Sequence, residues 1–134
     1  MRVLTDTFFE AEKYFIYYNG EKQEINANLI FPELKKMCEK SYFSPAFGVS
    51  INQYTLNELK KGLWLEMEYS EPKEFAEMPY EKLLINFQPD FYGFNIIRYN
   101  SNGGYDGRCY YLNLNGNSTN FYNTLLKIAN EKNN

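Results

Sequence analysis

The chain has 134 residues, a formal charge of −3 and no histidine. The missing imidazole excludes a Ser-His-Asp or Cys-His nucleophilic pair and an H-E-x-x-H zinc site, along with the commonest acid–base group and metal ligand near neutral pH. The length fits one globular domain over residues 1–134, and the negative balance, with acids and bases interspersed, argues against nucleic acid or anionic membrane as a partner.

The first structural signal is Tyr14-Phe-Ile-Tyr-Tyr18 followed by Asn19-Gly20. Asn-Gly suits a type I′ turn, whose central residues both need positive φ. Pairing across it sets Tyr14, Ile16 and Tyr18 opposite Ile25, Gln23 and Glu21. The segment Thr7–Tyr14 tolerates helix or strand. Pro32 can open a helix because its missing N–H is one of the donors a helix start leaves unused. Leu34, Met37, Cys38 and Tyr42 then form an apolar stripe, with Lys35, Lys36 and Lys40 facing away; Ser44-Pro45 is expected to end the element. A short strand is expected over Ala46–Ile51.

Thr55-Leu-Asn-Glu58 matches a capping box, and the helix it opens runs to Gly62, a left-handed stop. Leu63-Trp-Leu-Glu-Met-Glu-Tyr69 alternates. Leu63, Leu65, Met67 and Tyr69 point to one face and Trp64, Glu66 and Glu68 to the other, the mark of an antiparallel sheet with one packed side. Ser70–Glu77, with Pro72, reads as a loop. Periodicity leaves Tyr80–Phe87 open between helix and strand. The runs Phe94–Tyr99 and Arg108–Leu114 flank a Gly-rich hairpin tip. Ser118 caps a closing helix with Phe121, Leu125 and Ile128 as its buried stripe, and the tail frays from about Asn130. The sum is an α+β domain: a mostly antiparallel sheet of about four to six strands, with two or three helices packed on one face.

Thirteen Tyr, eleven Phe and one Trp bring the aromatic share to 19%. That surplus favours a binding surface, because Tyr carries an apolar ring and a polar tip and is enriched at interfaces. A bacterial-like, AT-rich coding bias would produce the same composition. Cys38 and Cys109 sit in apolar patterns without C-x-x-C spacing and read as small buried hydrophobes in a reducing cytosol. The N-terminus has no secretory apolar region and no stretch has the length of a transmembrane helix, so a soluble cytoplasmic protein is expected.

Four constellations have chemistry to offer. Glu66 and Glu68 share a strand face about 6.5–7 Å apart from the strand rise, a separation at which two carboxylates can divide acid and base roles; two solvated charges are the plainer reading. Trp64, on the same nominal face, would wall a groove for a cationic or sugar-like group, unless its own chain covers it. Arg98 and Arg108 flank the hairpin tip and could hold a carboxylate or phosphate bidentately, or act as rim charges. The tip Asn100–Gly107 has only Asp106 as a carboxylate, too few for calcium, and turn chemistry explains it. Arg108 could lower the Cys109 thiol pKa only if that thiol were exposed. No nucleotide motif is present, and Asn117-Ser-Thr119 reads as a helix cap rather than a glycosylation site. No cofactor and no metal is expected.

The favoured reading is a non-catalytic protein-binding module, immunity- or inhibitor-like in type. Its alternative is a small-ligand binder or carboxylate-based hydrolase working on the Glu66/Glu68 face, and a basic strip of Lys35, Lys36, Lys40, Lys60 and Lys61 near Tyr42 and Phe43 leaves nucleic-acid binding third.

Overall fold

Alternating strands dominate the computed structural model, which describes residues 9–39, 42–46, 53–75, 77–88, 96–101, 104–105, 109–113 and 118–132. The strands are β1 (Lys13–Tyr18), β2 (Glu21–Ile25), β3 (Tyr42–Ala46), β4 (Leu63–Phe75), β5 (Met78–Ile85), β6 (Ile96–Asn100), β7 (Gly104–Tyr105) and β8 (Cys109–Asn113). The helices are α1 (Phe31–Cys38), α2 (Gln53–Lys61) and α3 (Thr119–Lys132). All pairings are antiparallel, in the order β2-β1-β4-β5-β6-β8-β3, with β7 beside β6. The expected α+β class holds. A continuous five-strand ladder, β2-β1-β4-β5-β6, lies within the expected size. The β8–β3 pair extends it, with Ile96↔Tyr110 the register pair among the described residues.

The β1–β2 hairpin forms in the expected register, Tyr14↔Ile25, Ile16↔Gln23 and Tyr18↔Glu21. Asn19 and Gly20 take φ of 53 and 80, as a type I′ turn requires. Its tip docks on the end of α2, where Asn19 N donates to Gly62 O at 3.3 Å. Gly20→Ala should therefore destabilise the protein by about 1 kcal/mol through backbone strain at positive φ, read as a shift in the urea midpoint without a change in slope.

Cross-strand register sorts side chains onto two faces. On one, Tyr14, Ile16, Ile25, Leu65, Met67, Leu83, Ile85 and Ile96 join Leu34, Met37 and Cys38 of α1 and Phe121, Leu125 and Ala129 of α3 in the principal core. Burial pushes the Cys38 thiol up to about 12, the behaviour of a buried hydrophobe rather than a reactive thiol. On the other face Trp64, Leu84 and Ile97 form a smaller cluster with Leu59 of α2, against which Tyr17 packs. Two helices thus share one face and α2 takes the opposite one.

Several elements differ from the sequence expectation, each for a physical reason. Tyr42 leaves the α1 stripe for β3, and Ser44-Pro45 lies within that strand; β3 is the last strand in the order, and an edge tolerates proline's missing donor. Of the strand expected over residues 46–51, only Ala46 falls among the described residues. The α2 helix begins at Gln53, whose Nε2 donates to Asn57 Oδ1 at 2.9 Å one turn on. Thr55 is consequently inside the helix and fully buried instead of capping it. The helix does stop at Gly62, whose N–H donates to Glu58 O at 2.6 Å, but not in the left-handed conformation expected: among the described glycines only Gly20 has positive φ. A side-chain carbon at Gly62 would sit 2.7 Å from the Glu58 oxygen, so the close approach demands glycine.

The expected loop 70–77 is instead strand. The β4 strand runs 13 residues to Phe75, with its register shifting between Glu68 and Lys73. That irregularity absorbs Pro72, because residues in a bulge need no ladder donor. Glu77, with φ of 65, helps turn the chain into β5. At the C-terminal end Phe121 and Leu125 are buried as expected, Ala129 replaces Ile128 as the third buried position, and α3 continues past Asn130 to Lys132. Among the described residues no helix is long and apolar enough to cross a membrane.

Candidate functional site

Three strands bring charge together on the sheet face that α2 only partly covers. The register aligns Glu24, Phe15, Glu66, Leu84 and Ile97 in one cross-strand row, and Lys13, Glu68, Lys82 and Tyr99 in the next. Glu66 therefore has Phe15 on one side and Leu84 on the other, and it is only 2% exposed. Lys22, from the outer strand β2, reaches over the Phe15 ring with Nζ 4.3 Å from the centroid. Its ammonium lies 2.8 Å from Glu66 Oε2 and also donates to Glu68. From the other flank, Lys82 Nζ stands 3.7 Å from Glu68 and 4.9 Å from the centre of the Tyr99 ring.

Glu66, Glu68 and Lys22 are shifted in different ways. Burial pushes the Glu66 carboxyl above the ordinary carboxylate range, outweighing its hydrogen bond from Lys22. Burial also acts upward on Glu68, but the hydrogen bond and charge of Lys22 and the charge of Lys82 prevail and hold it below that range. For Lys22, burial works against the ammonium, and its contacts with both carboxylates more than reverse this.

The expected site residues separate in the structure. Glu66 and Glu68 share a face as the alternation requires, but both are engaged by lysines of their own chain. Trp64 shares that face and is fully buried, packed with Leu59 of α2, its Nε1 donating to Glu58 O at 3.0 Å. It is core, not the wall of an open groove. The cover is α2, positioned by the tight Gly62 turn. Arg98 is not a rim charge. Its register partner Leu83 places it on the principal-core face, where it is fully buried and donates from its guanidinium to Pro79 O. Arg108, its expected companion, lies outside the described residues, as does Asp106.

Lys22, Lys82, Phe15 and Tyr99 were not singled out from the sequence. Their only signal is position: once β1, β2, β5 and β6 are aligned on β4, they fall around Glu66 and Glu68. Among the tyrosines with described burial, Tyr14, Tyr69 and Tyr80 are buried, Tyr17, Tyr18, Tyr99 and Tyr122 are half-buried, and Tyr54 is 44% exposed. The aromatic surplus is thus divided between interior and surface. Among the described residues no group of three or more His, Cys, Asp and Glu could hold a metal ion. No family model, curated protein or solved structure matches this chain.

Proposed function

We propose that this chain is a non-catalytic protein-binding module whose docking surface is the sheet face carrying Phe15, Lys22, Glu66, Glu68, Lys82 and Tyr99. The observation behind it is that Glu66 and Glu68 are paired with Lys22 and Lys82, while the half-buried rings of Phe15 and Tyr99 lie under those lysines. Paired charges around partly exposed aromatic rings suit recognition, in which aromatic anchors supply affinity and charges set register. The charge of −3 and the exposed Glu71, Glu74 and Glu77 at the far end of the same sheet favour a basic protein as partner. The test is native co-purification followed by titration of the recovered partner. A stoichiometric basic partner should bind, and Phe15→Ala or Tyr99→Ala should weaken it about 30-fold, the effect of removing an aromatic anchor. Repeated recovery of the chain alone, or unchanged affinity in both folded variants, contradicts the proposal.

A second reading is favoured by one observation. Glu66 is held above the ordinary carboxylate range and Glu68 below it, and two carboxyls driven apart are the pattern of an acid–base pair. A small-ligand binder or carboxylate-based hydrolase would use them so. It requires Lys22 to move aside, and turnover abolished by both Glu66→Gln and Glu68→Gln would establish it over the first reading.

A further inference from the structure

We propose that Lys22 is a strap fastening the edge strand β2 across β1 to Glu66 and Glu68 of β4, and that mild acid releases it. This stands apart from the docking proposal, since it needs no partner. Among the described residues the β2 strand is outermost in the sheet and hydrogen-bonds only to β1 along its ladder. Its five residues, Glu21 to Ile25, bury only Ile25, so apolar packing holds it weakly. Lys22 supplies what packing does not, crossing the Phe15 ring to an ion pair at 2.8 Å with Glu66 and a hydrogen bond to Glu68.

The acid response follows from what surrounds Glu66. Its row neighbours Phe15 and Leu84 belong to β1 and β5, and both remain when β2 lifts away. Glu66 would then be buried and ionised without the Lys22 ammonium, a costly state. Ionised Glu66 therefore resists the opening of β2, and protonated Glu66 does not. Among the described residues the register also places Lys13 and Tyr17 of β1, Glu24 of β2, Glu68 of β4, Lys82 of β5 and Tyr99 of β6 on this face, and the α2 helix packed at its Trp64 end carries Tyr54, Glu58, Lys60 and Lys61. Glu68 also has Lys82 of β5 at 3.7 Å, a contact that does not involve β2, so its anchoring of Lys22 persists to lower pH. Because burial raises Glu66 and lysine contacts lower Glu68, acidification removes the Glu66 anchor first and the Glu68 anchor second.

Amide hydrogen exchange, corrected for intrinsic rates and read by NMR from pH 8 to pH 3, separates the strands (about five pH units spanning the usual carboxylate range). The ladder amides of β2 should lose about tenfold protection in two steps, the scale of one charge-assisted hydrogen bond, while those of β5 hold over the upper step. Glu66→Gln should remove the upper step and leave the lower one. Lys22→Met should leave β2 weakly protected and insensitive to pH, with β5 protection showing that the fold persists. A β2 protection in the wild-type protein that tracks β5 across this range overturns the proposal, as does a Lys22→Met variant that protects β2 like wild type. If Lys22→Met fails to fold, the loss or retention of the upper step in Glu66→Gln decides.

Discussion

Replacing Trp64 with alanine is expected to destabilise the protein by about 3–5 kcal/mol, the range for deleting a fully buried large ring. The ring is completely enclosed, packs with Leu59, Leu84 and Ile97, and donates to the Glu58 carbonyl at 3.0 Å. Its removal both opens a cavity and withdraws the donor that holds the end of α2 to the sheet. Trp64→Phe should cost less, about 1–3 kcal/mol, because the apolar contacts survive in part and the loss centres on the hydrogen bond. Urea unfolding followed by circular dichroism measures both. The wild-type protein has a single Trp, so its fluorescence should report the same transition. A Trp64→Ala variant within 1 kcal/mol of wild type (about the median cost of any substitution) would show that α2 is not docked as described.

Arg98 should give the second large effect. It is fully buried on the principal-core face, with a guanidinium donating to Pro79 O in β5. Arg98→Ala removes the aliphatic stem and the donor together and should cost about 3 kcal/mol. Arg98→Met keeps most of the stem volume and eliminates a desolvated charge, which commonly offsets the lost polar contacts; about 1 kcal/mol is expected. The ordering is the test. If methionine is as harmful as alanine, the hydrogen bonds of the guanidinium dominate and packing is secondary. Neither loss should depend appreciably on added salt, since screening acts weakly on a fully buried group.

How much could be seen in advance depended on the range of the interaction involved. The β1–β2 hairpin and its register were legible because Asn19-Gly20 encodes the turn through backbone torsion alone. The alternation of Leu63 to Tyr69, the stripe of Leu34, Met37 and Cys38, and the stop at Gly62 were legible for the same kind of reason: each depends on residues within a turn or two of one another. Local signals misled where a distant pairing competed. Pro72 and its acidic neighbours resemble a loop, yet Lys73, Glu74 and Phe75 find partners in Tyr80, Pro79 and Met78. Tyr42 continues a helical stripe on paper but pairs opposite Asn113.

The candidate site divides along the same line. Alternation within one strand determined that Glu66, Glu68 and Trp64 share a face. Tertiary structure alone decided that α2 would cover the Trp64 end, that Phe15 and Leu84 would flank Glu66, and that Lys22 and Lys82 would arrive from opposite sides. Likewise the basic character of Arg98 is evident in the chain, but its burial depends on which face its register with Leu83 presents. A strand's own periodicity specifies two faces; only its neighbours determine which is buried and what charge stands across from each side chain.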